Sequence, residues 1–233
     1  MVSALKPDGR LGLIIFDCDG VLIDSEGTSC RIIAQSAREA GLSVSDEEAV
    51  GQFGGKALMS LKKEIEAQVG QSFPENWCTA MRDRFVESFR ISVDMIDGTP
   101  QMLRDVQTLG IPMRVGSNSS MLEMDAKFDG SGLFDFIPRE RIHSATDMQK
   151  PKPSPAVYLH AAAKEGVPPD ECVVLEDSDT GAKAALEAGM TCVLLRDKAE
   201  LAPDWPGLIR ISTLSEFSAL LRRALQSQSK QAS

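Results

Sequence analysis

The fold is decided by the stretch Leu13-Ile14-Ile15-Phe16-Asp17-Cys18-Asp19-Gly20-Val21-Leu22-Ile23-Asp24-Ser25-Glu26, in which an apolar run ends in closely spaced carboxylates. An apolar run bounded by turn-forming residues is typical of a β-strand that is buried on both faces. Open parallel α/β sheets bind ligands at the carboxyl ends of their strands, so we expect Asp17 and Asp19 at the mouth of such a sheet. Two carboxylates this close repel each other unless a cation or a shared proton intervenes. The stretch therefore predicts a catalytic strand end that binds a metal.

Two simpler interpretations of the same residues are an ordinary loop and a calcium-binding loop. Asp and Gly are common turn formers, and Asp-x-Asp-Gly also begins calcium loops. A calcium loop needs a Glu about twelve positions after the first Asp. Thr28 and Ser29 occupy that region, and the next acid is Glu39, which disfavours an EF-hand. Partner residues elsewhere in the chain must decide between a loop and a site.

Length, charge and cysteine content narrow the class of protein. The 233 residues suffice for one large domain, or for a core with a smaller insertion. The net charge of -9 argues against a nucleic-acid partner, which favours a basic face. The five cysteines show no paired metal spacing, so we expect reduced thiols in a cytoplasmic protein. No stretch approaches the ~20 apolar residues that span a bilayer, so we expect a soluble protein with no membrane partner, and by default a monomer.

The apolar pattern divides the chain into a helical segment and a segment of mixed strands and helices. No strand signal appears between residues 25 and 95, where helical periodicity predicts helices over about 28–40, 56–69 and 74–89. We therefore expect a small helical cap domain over 25–95, inserted into a core made of 1–24 and 96–233.

In the second segment, strand and helix patterns alternate, which predicts an α/β fold with a doubly wound parallel sheet and a Rossmann-like core. The predicted strands after the first are 112–117, 134–137, 172–175, 191–195 and 208–211. The cap would lie over the carboxyl ends of the strands, where a lid closes over substrate and excludes water. The polar tail 226–233 is expected to be disordered.

Polar residues of complementary type lie at three further strand ends. Ser117 and Asn118 offer a hydroxyl and N–H groups at the start of a helix, which suits an anion site or a plain N-cap. Lys150 and Lys152 lie in a proline-rich loop, which would equally fit a solvated basic segment. The pair Glu176-Asp177 follows another apolar strand, although acids also favour the start of the next helix.

Taken together, these residues supply the parts for handling a phosphate. Carboxylates hold a hard cation such as Mg²⁺, whereas Ser, backbone N–H and Lys bind phosphoryl oxygens. Their joint occurrence in this order is far less probable by chance than any one of them.

The residues resemble the four motifs of the haloacid dehalogenase-like hydrolases. The motifs are Asp17-Cys18-Asp19-Gly20-Val21-Leu22-Ile23-Asp24-Ser25-Glu26, Ser117-Asn118, Lys152-Pro153-Ser154-Pro155, and Glu176-Asp177-Ser178 with Gly181. The resemblance extends from about Leu11 to Leu195. It is to the subgroup with a helical cap after the first motif, which contains β-phosphoglucomutases and small sugar-phosphate or phosphoglycolate phosphatases.

The resemblance implies roles for the motif residues. Asp17 would be the nucleophile that forms an aspartyl-phosphate, and Asp19 the general acid and then the base that activates water. Mg²⁺ would be held by the Asp17 carboxylate, the Asp19 carbonyl and Asp177, with Glu176 as a ligand or acting through water. Phosphate would be bound by Ser117, Asn118 and Lys152. The Lys-Pro-x-Pro register favours Lys152 over Lys150.

The implied reaction is hydrolysis of a small phosphate monoester such as a sugar phosphate. An acid at Asp19 suits a phosphate ester, because an alkoxide leaving group needs a proton. β-Phosphoglucomutases carry a cap histidine and a cap arginine where this chain has Ser29 and about Ala57, which favours a phosphatase over a phosphomutase. A non-catalytic binding protein of the same fold is the third possibility.

The cap segment Phe53-Gly54-Gly55-Lys56 is the best candidate for reading the rest of the substrate. The glycines permit close approach, and Lys56 would meet a carboxylate or hydroxyl. A surface loop with a solvated lysine is an equally good interpretation.

Overall fold

Strands and helices alternate along most of the chain in the computed structural model, which describes residues 3–231. Its strands are β1 (Leu13–Phe16), β2 (Ile23–Asp24), β3 (Asp94–Met95), β4 (Met113–Ser117), β5 (Ile142–Ser144), β6 (Cys172–Glu176), β7 (Thr191–Leu195) and β8 (Leu208–Ile211). Its α-helices are α1 (Glu26–Glu39), α2 (Asp46–Phe53), α3 (Leu58–Val69), α4 (Trp77–Ile91), α5 (Thr99–Gln107), α6 (Met121–Ser131), α7 (Ala156–Glu165), α8 (Asp179–Glu187) and α9 (Leu214–Gln231).

Six strands form one parallel sheet in the order β5-β4-β1-β6-β7-β8. All four side chains of β1 are buried, because helices cover both faces of the sheet. The register pairs Phe16 with Val115 on one side and with Leu175 on the other. The carboxyl ends of β1, β4 and β6 therefore meet at one edge. This confirms the predicted α/β fold with a doubly wound parallel sheet.

The strand predicted at 134–137 is wrong. Leu133–Asp135 form a short 3-10 helix after Gly132, which ends α6 with a positive φ of 77°. Phe134 packs its ring 5.2 Å from that of Phe128 instead of joining the sheet. The strand of this unit is β5, whose three residues are too few to show an alternating pattern.

The helices α1 to α4 lie between β2 and β3. These two short strands pair antiparallel, Ile23 with Met95, so the chain enters and leaves the helical segment at one place. Helix α2 was not predicted; it is only eight residues long and is stabilised at its start by a capping box of Ser45 and Glu48. We propose 25–95 as a cap domain on a core of 1–24 and 96–233.

The tail is helical, not disordered, as far as the structure describes it. Helix α9 continues to Gln231, and the side chain of Gln228 accepts a hydrogen bond from Leu11 N and donates to Ala4 O. Ala232 and Ser233 lie outside the described residues. None of the helices within 3–231 combines the length and the apolar composition that a bilayer crossing requires.

Helices α4 and α6 join the helical segment to the sheet through a close backbone contact. A Cβ atom built on Gly130 of α6 would lie 1.8 Å from the carbonyl oxygen of Phe89 in α4. Only glycine permits this separation, so Gly130 sets the distance between the two helices.

Replacing Gly130 with alanine should therefore destabilise the protein. The added methyl group cannot fit without moving a helix, and overpacking of this kind costs about 1–3 kcal/mol. Urea denaturation measures the loss. Gly51→Ala is the matched control, because Gly51 lies in α2 with nothing within 4 Å of its would-be Cβ. That variant should gain about 0.5–1 kcal/mol from helix propensity. Equal stabilities for the two variants would contradict the close contact.

Candidate active site

Asp17 and Asp19 lie in the loop that follows β1. Asp17 is buried, with a relative exposure of 7%. The loop turns at Gly20, whose φ is 76° and whose Cβ, if present, would lie 2.0 Å from Asp177 Oδ2. Glycine is required here for both reasons, and it lets the loop after β1 approach the loop after β6.

Glu176 is the last residue of β6 and is fully buried. Its Oε1 accepts hydrogen bonds from Lys152 Nζ at 2.6 Å and Tyr158 Oη at 2.5 Å. Its Oε2 accepts from Asp177 N, Ser178 N and Ser178 Oγ. Both oxygens are thus occupied by the protein itself, and Glu176 holds its neighbours in place.

Lys152 is the lysine that reaches this cluster. Its Nζ lies 2.6 Å from Asp17 Oδ1 and 2.6 Å from Glu176 Oε1, and 4.7 Å from the centre of the Tyr158 ring. Lys150, the alternative from the sequence, is exposed. Among the two Lys-Pro pairs, the structure therefore brings only Lys152 to the acids.

Lys152 is shared by two buried acids, Glu176 and Asp17, and their pKa values shift in opposite directions. Although burial opposes it, Lys152 together with the hydrogen bonds lowers the pKa of Glu176, which stays ionised. Burial raises the pKa of Asp17 to about 8, with Glu176 and Asp19 adding to the rise and Lys152 opposing it. Burial, and then Glu176, raise the pKa of Asp177 to about 7. Near neutral pH this edge of the sheet has more carboxylates than the available cations stabilise.

Ser117 and Asn118 lie at the end of β4, beside Lys152. Ser117 is buried, and its Oγ accepts a hydrogen bond from Ser119 N. The Asn118 side chain accepts from Lys152 N at 2.8 Å, so it fixes the lysine loop. Both residues line the same cavity as Asp17.

This cavity has a volume of about 880 Å³ and lies between the strand ends and the helical segment. At the strand ends it is lined by residues that include Asp17, Ser117 and Lys152, and the helical segment contributes Glu26 of α1 and Arg82 of α4. Arg82 is exposed, and within residues 3–231 it forms no ion pair. The cavity is large enough for a phosphate ester with a sugar-sized remainder.

Asp19 is hydrogen-bonded to a different lysine, Lys127 of α6. Its Oδ1 accepts hydrogen bonds from Lys127 Nζ at 2.6 Å and from Ser25 Oγ, and its Oδ2 accepts from Ser119 Oγ at 2.7 Å. Although burial acts in the opposite sense, Lys127 and these hydrogen bonds lower the pKa of Asp19. The pKa of Asp17 is therefore raised and that of Asp19 lowered, although the two residues are only two positions apart.

Sequence reasoning missed Lys127, Tyr158 and Arg82. Lys127 had a detectable signal: it lies one turn after Met124 in α6, on the same face as that buried residue. A lysine on an apolar face needs a partner. Tyr158 and Arg82 had no such signal, because nothing in the local pattern shows which strand ends they face.

The structure does not bring Gly55 and Lys56 to the site. Lys56 Nζ lies 2.9 Å from Glu64 Oε2 on the surface of the helical segment. Neither residue is among the described residues that line the cavity. Gly55 is linked to the cavity indirectly, since its N–H donates to Glu26 Oε1 at 2.7 Å. Lys56 is instead paired with Glu64, eight positions later in the chain.

The donor atoms at the strand ends fit a hard divalent cation. Asp17, Glu176 and Asp177 each offer an oxygen, and these oxygens lie within 4.8 Å of one another. The set contains only carboxylates, which suits Mg²⁺ or Ca²⁺ better than a soft metal. Burial is the main cause of the raised pKa values of Asp17 and Asp177, and a cation bound between these carboxylates would oppose that rise.

A sequence model of the haloacid dehalogenase-like hydrolases matches residues 14–195, which include all of these site residues. The chain belongs to the haloacid dehalogenase-like hydrolases. Its sheet, its strand-end acids and the helical segment after β2 are thus those of a member of this family. The resemblance stated from the motifs is confirmed.

Relatives and solved structures of this family cover most of the chain. The 6-phosphogluconate phosphatase of Escherichia coli is 28% identical over 78% of this chain and 80% of its own length. Hexitol phosphatase A of the same organism is 28% identical over 80% of this chain and 83% of its own. A family hydrolase from Deinococcus radiodurans, crystallised with phosphate and sodium, is 30% identical with a TM-score of 0.74, over 92% of this chain and 96% of its own.

The raised pKa of Asp177 predicts a pH-dependent stability difference between the wild type and Asp177→Asn. A carboxyl with a raised pKa contributes stability that is present below its ordinary value of 3.8 and lost as pH rises through about 7. Measured without divalent cations, Asp177→Asn should therefore become more stable relative to wild type between about pH 4 and pH 8.

Chemical denaturation at a series of pH values measures this difference. Added Mg²⁺ should reduce it by stabilising the wild type alone. Parallel stability curves for the two proteins would show that Asp177 is not destabilised by its ionisation.

Proposed function

We propose that the protein is a magnesium-dependent phosphatase that hydrolyses a small phosphate monoester through a phosphorylated Asp17. One observation carries the proposal. The Asp17 carboxylate lies at the end of β1 with Lys152 on one oxygen and Asp177 within metal-ligand distance, in a cavity also lined by Ser117 and Asp19. A nucleophile, a cation site, phosphate-binding groups and a proton carrier thus share one space.

In the first step, Asp17 would attack phosphorus in line with the ester oxygen. Lys152 fixes the direction of the attacking carboxylate, because it binds one oxygen and leaves the other free. The ester bond breaks, and the leaving oxygen takes a proton from Asp19. Asp19 is ionised in the free protein, and the negative charge of a bound phosphate raises its pKa so that it takes up this proton.

In the second step, a water molecule would attack the phosphorus of the aspartyl-phosphate formed on Asp17, and the bond between phosphorus and the Asp17 oxygen breaks. Asp19, ionised again after the first step, accepts the water proton. Lys127 stabilises this ionised form. Inorganic phosphate forms and the Asp17 carboxylate is restored, so the two half-reactions need no strongly basic hydroxide.

Mg²⁺ would be held by the carboxylates of Asp17 and Asp177 and by the Asp19 carbonyl. When bound, it neutralises charge on the phosphoryl oxygens and keeps Asp17 ionised. Glu176 supports this site from behind, because its own oxygens accept five hydrogen bonds from Lys152, Tyr158 and the 177–178 segment.

The phosphoryl oxygens would be bound by Ser117, the Asn118 N–H and Lys152. The remainder of the substrate would extend toward the helical segment, where the cavity is lined by Glu26 and Arg82. The relatives named as phosphatases of 6-phosphogluconate and of hexitols support a phosphorylated sugar-like metabolite as the substrate class.

Asp17→Asn should abolish the release of inorganic phosphate. The amide is not a nucleophile, so turnover should fall by at least ~10³-fold while the fold is kept. Phosphate release is measured with Mg²⁺ over a panel of sugar and polyol phosphates and p-nitrophenyl phosphate. A wild-type protein that releases no phosphate from any of them would support a binding protein. Interconversion of sugar monophosphates faster than phosphate release would show a phosphomutase.

Lys152→Met and Lys150→Met should differ sharply. Removing Lys152 leaves Asp17 and Glu176 buried without their shared cation, which costs about 3–5 kcal/mol of stability as well as turnover. Lys150 is exposed, so its variant should match the wild type in both. Thermal melts and phosphate-release rates are measured side by side. Loss of activity in the Lys150 variant alone would mean that the wrong lysine has been assigned.

A further inference from the structure

Lys127 is a buried lysine to which no motif assigns a role. It lies in α6, and its relative exposure is 3%. Burying an ammonium group costs free energy unless the group is paired and hydrogen-bonded. The hydrogen-bond partners of Lys127 therefore indicate its role.

The contacts form a closed ring with Asp19 and Ser119. Lys127 Nζ donates to Asp19 Oδ1 at 2.6 Å and to Ser119 Oγ at 3.0 Å. Ser119 Oγ in turn donates to Asp19 Oδ2 at 2.7 Å. The ammonium group also lies 5.1 Å from the centre of the Phe89 ring, so α4 covers it from the other side. Each Asp19 oxygen is thus tied to a fixed group.

This ring determines the orientation of the Asp19 carboxylate. A carboxylate has about four lone-pair positions. Lys127, Ser119 and Ser25 occupy three of them. The side chain is still 34% exposed, and it lines the cavity. One acceptor position is left for a group in the cavity, and the carboxylate cannot turn toward Asp17 without breaking the ring.

We propose that Lys127 is the positioning residue for Asp19: through the ring with Ser119 it holds the carboxylate toward the leaving oxygen of the substrate. The proposal rests on the proton-transfer role of Asp19 in the proposed function. It concerns a residue that is not among the described residues lining the cavity, and it differs from the alternative that Lys127 only stabilises the packing of α6.

Substrates with different leaving groups can distinguish the positioning of Asp19 from a packing role of Lys127. An alkyl phosphate releases an alkoxide that needs a proton in the transition state, whereas p-nitrophenyl phosphate releases a stable anion that needs none. The ratio kcat/KM reports the first transfer, in which the leaving group departs. A defect in the position of Asp19 therefore lowers kcat/KM for the alkyl ester selectively, whereas a general packing defect lowers both.

The experiment compares Lys127→Met with wild type, both as full chains with Mg²⁺. The substrates are p-nitrophenyl phosphate and the best alkyl phosphate of the panel. We expect kcat/KM for the alkyl ester to fall by about 10–100-fold, within the usual contribution of a general acid, and that for the aryl ester by less than about threefold. Equal losses on the two substrates would overturn the proposal.

A double-mutant cycle with Asp19→Asn tests whether Lys127 acts through Asp19. In the Asp19→Asn background, Lys127→Met should cause no further loss on the alkyl ester, because the group that it positions is gone. The same fold-loss in both backgrounds would overturn the proposal. Lys183→Met is the control for removing a lysine, since Lys183 lies on the surface of α8.

Lys127→Arg keeps the test valid if the Met variant does not fold. Arginine retains the charge and the donors, so it should restore part of the alkyl-to-aryl ratio. A folded Arg variant that loses the same factor in kcat/KM on both substrates would overturn the proposal. The proposed function fails separately, if Asp17→Asn and Asp19→Asn retain wild-type turnover whatever Lys127 does.

Discussion

The repulsion between carboxylates at the ends of β1 and β6 is the constraint on which the rest of the site depends. Parallel pairing of Phe16 with Leu175 places the next residues of each strand, Asp17 and Glu176, side by side in a buried position. Burial makes each charge costly, and the second charge adds to the cost. Lys152 offsets part of it by binding both acids, and the remainder appears as the raised pKa of Asp17. This uncompensated charge is the reason that we propose a cation site at this edge.

Asp17 and Asp19 form ion pairs with different lysines. Lys152 comes from the loop before α7 and binds Asp17, whereas Lys127 comes from α6 and binds Asp19. Asp17 therefore belongs to the cluster of acids at the ends of β1 and β6, and Lys152 binds one of its oxygens. The Asp19 carboxylate lines the same cavity, and although burial opposes it, Lys127 lowers the pKa of this carboxyl. In the proposed mechanism, two identical side chains two positions apart serve as nucleophile and proton carrier, because different elements supply their cations.

Much of the fold was predictable, because long apolar strands carry a strong signal. The strands at β6, β7 and β8 were found in place, and the α/β fold with a parallel sheet is confirmed. One failure was the tail, which was expected to be disordered but continues α9 to Gln231, and the others were short elements. The strand at 134–137 is wrong because those apolar residues pack on a helix, and β5 and α2 are too short to show a period. In the site, the motif residues Asp17, Ser117, Lys152 and Asp177 line one cavity, as their places at strand ends predicted, whereas Lys56 does not line it.

By itself, the sequence determined the sheet, the family and the acids at the strand ends, because burial of apolar strands and the chemistry of phosphate both leave local patterns. Only the tertiary structure decided which cation each acid receives and which residues face the cavity. Lys127, Tyr158 and Arg82 lie far from the first motif in the chain, and their roles depend on how α6, α7 and α4 pack around the sheet. A local sequence pattern does not specify how far apart two helices or strands pack. Contacts between side chains on different elements are therefore decided by the tertiary structure.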